Sequence, residues 1–181
     1  IAGGKVLLDV IKNILDVSNI EAGKTNLELE DIHLEGLVQD VMTEMSSFAS
    51  KKNIALQMEL DPQVESIRVD RNKLQQILIN LVSNAIKFGK EKGFVKIRSK
   101  QMHDTLHIEV IDNGIGISTE DQQRLFKPFI QLDSSSTRKY KGNAIGLHIV
   151  KQFVDLHGGN VWLESEIGTG STFTFTISLK L

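Results

Sequence analysis

Between residues 5 and 20 apolar side chains fall at Leu7, Leu8, Val10, Ile11, Ile14, Leu15 and Val17, a helical spacing whose broad apolar face needs a partner. No cap or turn precedes this stretch, so it reads as a helix cut from something longer, and Gly23 is its natural left-handed stop. Leu27, Leu29 and Ile32 then alternate as a short strand. Helical period returns over residues 34–51 through Leu37, Val38, Val41, Met45, Phe48 and Ala49, and residues 54–60 alternate as a strand that Asp61-Pro62 closes. Asp70 is a good N-cap for a helix over 73–87 with Leu74, Ile77, Leu78, Leu81, Val82 and Ala85 on its apolar face.

Two alternating runs follow, Phe94, Val95, Ile97 and Leu106, Ile108, Val110, joined by a polar turn at His103-Asp104 that predicts a hairpin. Ser118 opens a short helix, and residues 131–141 are polar without periodicity, a candidate lid. A helix over 144–157 stops at Gly158-Gly159, and strands over 160–164 and 171–179 finish the chain. Strands mixed with helices and hairpins predict an α+β fold, a two-layer sandwich with helices on one face of a mixed sheet.

Composition narrows the function classes. With 40% hydrophobic and 24% charged residues the chain is in the globular range. Its 21 Lys+Arg nearly balance 23 Asp+Glu, so neither nucleic acid nor an anionic membrane is implied as partner. Without cysteine there is no disulfide framework and no thiolate site, which fits the cytoplasm, and any metal must take oxygen or nitrogen ligands. No apolar run is long enough to span a bilayer, although a longer parent could be membrane-anchored.

Asn80 and Asn84 stand four apart on one predicted helix with Lys87 one turn on, a stripe that by itself reads first as a solvated polar face. The loop Asp112-Asn113-Gly114-Ile115-Gly116 leaves a strand with two glycines that let a ligand approach the backbone; alone it is a weak signal, and Asp112 could simply cap the turn. Gly142 and Gly146 precede a helix whose free N–H groups suit phosphate. Gly168-Thr169-Gly170-Ser171 reads equally as a tight turn between strands.

The order of these pieces is more specific than any one of them. L-x-x-I-L-x-N-L-V-S-N-A-I-K-F (74–88), I-D-N-G-I-G-I-S (111–118), R-L-F-K-P-F (124–129), G-L-x-I-V-K (146–151) and H-G-G-x-V-W-L-E-S-E-x-G-x-G-S-x-F (157–173) resemble the boxes of the Bergerat ATP-binding fold, and within it those of sensor histidine kinases. I-L-D-V-S-N-I-E-A-G-K (14–24) looks like the end of that family's second dimerisation helix, so residues 1–24 would be one helix of a truncated hairpin and residues 25–181 the ATP-binding domain, with a lid at about 130–143.

By this resemblance Asp112 reads the adenine amine, Gly114 and Gly116 floor the base pocket, and Ser171 shares a water with the base. Asn84 ligates Mg²⁺, Lys87 faces phosphate, Asn80 sits beside the nucleotide, and Gly142 and Gly146 hinge the lid. Phe126 and Phe129 are expected in a structural role, as lid anchors and core. ATP and Mg²⁺ are the implied cofactors. The implied partners are the phosphoacceptor helix, a response regulator receiver domain and, for the parent, a second copy in a homodimer. Asn80 stands where the family's self-sufficient ATPases carry Glu, and an amide cannot take a proton from water, so the resemblance favours phosphotransfer to a histidine over hydrolysis. None of His33, His103, His107, His148 and His157 has the phosphoacceptor context, and a solvated or satisfied structural role is expected for each. The run Lys141-Gly142-Asn143-Ala144-Ile145-Gly146-Leu147 departs from the family's G-G-T-G-L-G-L at Ala144, which leaves a degenerate, non-catalytic nucleotide-binding module as the alternative.

Overall fold

The computed structural model describes residues 25–125 and 145–180. The predicted helix of residues 1–24, Phe126, Phe129, the lid, Gly142 and Ala144 lie outside the described residues.

Apolar periodicity becomes four helices and seven strands among the described residues: β1 (Glu30–His33), α1 (Leu34–Ser50), β2 (Ala55–Glu59), β3 (Ser66–Val69), α2 (Arg71–Phe88), β4 (Phe94–Met102), β5 (Thr105–Asp112), α3 (Thr119–Gln122), α4 (Gly146–Leu156), β6 (Val161–Glu166) and β7 (Gly170–Ser178). The main sheet has the order β2-β4-β5-β7-β6. Only β2 and β4 pair in parallel, and the crossover that a parallel pair needs runs through α2, which sets that helix against one face of the sheet. The predicted mixed sheet with helices on one face is the observed architecture.

Alternation decides which side of the sheet faces the helices. Leu106, Ile108 and Val110 of β5 are buried beside Phe173, Phe175 and Ile177 of β7. The opposite face carries Lys96 and Arg98 of β4 and Glu109 of β5, and Arg98 pairs there with Glu109 and Lys96 with Glu59 of β2. The same core takes Leu37, Val38 and Val41 from α1, Leu74, Leu78 and Leu81 from α2, and Ile149, Val150 and Phe153 from α4. Leu78 is fully enclosed, so truncating it to alanine removes about 2–5 kcal/mol of stability through lost transfer energy and the cavity left behind.

Two details depart from the expectation. The strand predicted from Leu27 begins only at Glu30, because the backbone N–H of Glu28 goes to the Asp70 carboxylate (3.0 Å) and not to a ladder. Its partner is β3, a strand the alternation did not reveal, in a separate two-stranded antiparallel sheet.

Candidate functional site

The candidate site residues within the described residues lie on or beside α2 and the end of the sheet nearest its last turn. Asp70 starts α2 by accepting from the Lys73 N–H (3.1 Å), as an N-cap side chain should. About five turns later the chain must leave the helix, and three carbonyls there find one donor: Lys52 Nζ donates to Ile86 O (3.0 Å), Lys87 O (2.6 Å) and Gly89 O (3.4 Å). The intervening carbonyl, of Phe88, accepts from Ile115 N–H (3.2 Å) in the glycine loop. The last three carbonyls of the helix are thereby satisfied, and the loop is tied to the helix.

Asn80, Asn84 and Lys87 occupy successive turns of α2, each half-buried. Asn80 Nδ2 is buried and has no hydrogen-bond partner among the described residues. Leaving a buried amide without a partner costs about 1–3 kcal/mol. Gly146, at the start of α4, approaches closely: a Cβ there would lie 3.3 Å from Asn80 Oδ1. Lys87 Nζ rests over the Phe88 ring (4.9 Å to its centroid), and burial pushes its pKa below the usual lysine value.

Asp112 ends β5 almost fully buried, and it faces Ser171 of β7 across the ladder. Burial raises its carboxyl above the ordinary aspartate value, against the N–H groups of Gly114 and Ser171 that donate to it. The Gly114 N–H bond is 2.7 Å. A buried carboxylate that accepts from the Gly114 N–H and meets no cation among the described residues can take a further neutral donor, such as an exocyclic amine. Three glycines are required here by contact, the first being Gly114, where a Cβ would fall 2.5 Å from Phe88 O. Gly116 has φ +69° and a Cβ would fall 2.0 Å from Glu166 O; Gly170 has φ +133° and a Cβ would fall 2.1 Å from Asp112 O. The turn between β6 and β7 therefore presses against the glycine loop, and Gly168 N–H donates to Ile115 O (2.8 Å).

Residues 80–88, 112–117, 146 and 165–171 thus converge, as the order of the boxes implied. Sequence reasoning missed Lys52, Asn113, Gln122 and Ser165. Asn113 Oδ1 accepts from Phe94 N–H (2.9 Å) and so ties the glycine loop to β4. A metal would find few charged ligands: among the described residues no three His, Asp or Glu side chains converge. The neutral oxygen of Asn84 is the kind of single protein ligand that suits Mg²⁺ held mainly by phosphates and water.

The family model described as histidine kinase-, DNA gyrase B- and HSP90-like ATPase matches residues 69–181. The circadian input-output histidine kinase CikA of Synechococcus elongatus is 42% identical over 176 residues, 96% of this chain and 23% of that protein. The chain therefore spans about a quarter of that kinase's length. The catalytic domain of histidine kinase ThkA superposes with a TM-score of 0.73 at 31% identity, covering 84% of this chain and 96% of that one. ThkA in complex with response regulator protein TrrA matches at 28% identity and TM-score 0.73, over 97% of this chain and 49% of that one. Full-length ShkA in complex with AMPPNP matches with TM-score 0.86 at 29% identity, over 97% of this chain and 36% of that one. Sequence boxes, buried Asp112 and architecture agree with these likenesses: the chain belongs to the histidine kinase-, DNA gyrase B- and HSP90-like ATPases, and within them to the catalytic domains of two-component histidine kinases.

Proposed function

We propose that residues 25–181 form a domain that binds Mg·ATP and presents the γ-phosphate to a histidine on a dimerisation helix supplied elsewhere in the parent kinase. The observation that carries this reading is the pairing of a buried, backbone-held Asp112 at one end of the site with the unsatisfied amide of Asn80 beside Gly146 at the other. In this reading Asp112 accepts the adenine amine, Gly114 and Gly116 let the base approach, and Ser171 holds a base-bound water. Asn84 supplies a protein oxygen to Mg²⁺, whose chemical contribution is to neutralise charge on the phosphates. Lys87 faces phosphate, Asn80 contacts the nucleotide, and Gly146, with Gly142 outside the described residues, hinges the lid. Asn80 cannot act as a base toward water, so transfer to a nucleophilic histidine is favoured over hydrolysis.

The AMPPNP complex of ShkA supports nucleotide binding, and the ThkA–TrrA complex supports a response regulator receiver domain as the downstream partner. The parent is proposed to act as a cytoplasmic-facing homodimer. The test is to mix this chain with a separately supplied dimerisation hairpin bearing an acceptor histidine, with γ-labelled ATP and Mg²⁺. Acid-labile label is expected on the hairpin and none on this chain. Steady phosphate release by the chain alone, with no label on the hairpin, would overturn the reading in favour of a hydrolase.

A further inference from the structure

The hydroxyl of Ser165, near the end of β6, makes three contacts at once. It accepts from Ile117 N–H (2.9 Å), donates to Gly170 O (2.8 Å) and lies 2.9 Å from Ser171 Oγ. A hydroxyl has one proton, and a carbonyl can only accept. The Ser165 proton is therefore committed to Gly170, and the bond between the two serines must be donated by Ser171. That leaves Ser171, buried and paired with Asp112 across the β5–β7 ladder, with only lone pairs to offer the pocket.

We propose that Ser165 is a positioning residue for base selection: it fixes the direction of the Ser171 hydroxyl, so that Asp112 and Ser171 together present an acceptor-only surface. This rests on the reading of Asp112 as the adenine reader. An edge with an exocyclic amine matches such a surface, donating to Asp112, while a water that donates to Ser171 keeps its second proton for a ring nitrogen acceptor. A base carrying a carbonyl in place of that amine sets an acceptor against Asp112 and a ring N–H where an acceptor is wanted. Its only means of fitting is for the Ser171 hydroxyl to turn outward, and Ser165 holds it inward. Selection between two purines thus depends on a side chain that touches neither, because a buried polar surface rejects a mismatched edge more strongly than it attracts a matched one.

Gln122 of α3 supports the same junction differently. Its Nε2 donates to Ile117 O (2.8 Å) and Ser165 O (2.9 Å), tying the two backbones together without touching either hydroxyl. It supplies the control for loop position alone.

The experiment is calorimetry of the full chain with ADP and with inosine diphosphate, which differ at the purine 6-position, alongside thermal melts. Wild type is expected to prefer ADP. Ser165→Ala should lower the ADP:IDP affinity ratio about three- to tenfold, the effect of one hydrogen bond, with Ser165→Cys following it and Ser165→Thr restoring the ratio. Gln122→Ala should weaken both nucleotides by the same factor and leave the ratio unchanged. An unchanged ratio in folded Ser165→Ala or Ser165→Cys, with or without loss of overall affinity, would overturn the inference while the adenine reading stands. A wild-type chain that binds ADP no better than IDP would overturn both together.

Discussion

His157 and Asp70, 87 residues apart, share a buried hydrogen bond in which Asp70 N–H donates to His157 Nε2 at 3.2 Å. The other ring nitrogen, Nδ1, donates to Phe153 O at 2.7 Å, so the imidazole is held neutral in one tautomer. His157 closes α4, and Asp70 opens α2. The same Asp70 carboxylate accepts from Glu28 N–H and from the Lys73 ammonium, which also donates to Asn26 O (3.3 Å). Burial would raise Asp70, but these donors hold it below the ordinary aspartate value. The end of α4, the start of α2 and the chain leading into β1 are thus joined through one carboxylate and one ring.

This junction predicts an acid-sensitive stability. Burial lowers the His157 pKa below 6.5, so the unfolded chain takes up a proton that the folded chain refuses. Stability is therefore constant above about pH 6.5 in this respect and falls as pH drops from there toward the folded-state value, by up to about 1.4 kcal/mol per pH unit. Urea unfolding between pH 7.5 and 5.5 should show this slope in wild type. His157→Phe should be less stable at pH 7.5 by about 1–3 kcal/mol, because it orphans Asp70 N–H while Phe153 O keeps only the backbone N–H of residue 157, but its slope should be smaller. Equal slopes in the two proteins would place the titrating group elsewhere.

Asp112→Asn should weaken ADP by at least about tenfold, since a hydrogen bond to a charged acceptor contributes about 1.5–3 kcal/mol. It should not unfold the protein. The carboxylate already stands above its usual pKa through burial, so removing its charge relieves a desolvation cost while keeping the shape. Calorimetry with ADP, paired with a thermal melt, separates the two effects, and equal ADP affinity in both proteins would remove Asp112 from the base site.

Helix α2 was the most legible part of the sequence. Its apolar period, the Asp70 cap and the Asn80, Asn84, Lys87 spacing are all local, and α2 follows them with only its ends moved outward. β3 was not legible. Ser66-Ile67-Arg68-Val69 is four residues long with two apolar positions, too few for alternation to be seen, and its partner β1 lies some way back along the chain. Ser165 and Lys52 were invisible for a different reason. Each is an ordinary residue by type and spacing, and it acquires its role only when distant carbonyls are brought to it. The expectation of a satisfied structural role for His157 agrees with its two hydrogen bonds, but the partner across the core, Asp70 N–H, could not be read from the chain.

Asn84→Ala should reduce the Mg²⁺ dependence of ATP-analogue binding and leave ADP binding without metal nearly unchanged. The basis is a neutral side-chain oxygen on the turn after Asn80 with no convergent carboxylates among the described residues. Titrations of AMPPNP with and without Mg²⁺ check it. An identical metal response in wild type and variant would assign the ion to phosphates and water alone.

Lys52 joins stability to the site. Its ammonium spans three carbonyls at the end of α2, the turn that carries Lys87 and whose Phe88 carbonyl holds the glycine loop through Ile115. A cation at a helix C-terminus contributes through both its hydrogen bonds and the helix dipole, and this one is partly shielded from water. Lys52→Met keeps the apolar stem and removes the donors, so it should lower stability by about 1–2 kcal/mol. Lys51, exposed and 5.5 Å above the Phe48 ring, is the matched control, and Lys51→Met should change stability by less than about 0.5 kcal/mol. Loosening that last turn shifts Phe88 O, to which Ile115 is bound, so ADP affinity should also fall in Lys52→Met and not in Lys51→Met. Urea unfolding and ADP calorimetry on the same two variants decide the matter. A Lys52→Met protein that loses stability but binds ADP as wild type does would confine Lys52 to the fold and show that the glycine loop keeps its place without the helix cap.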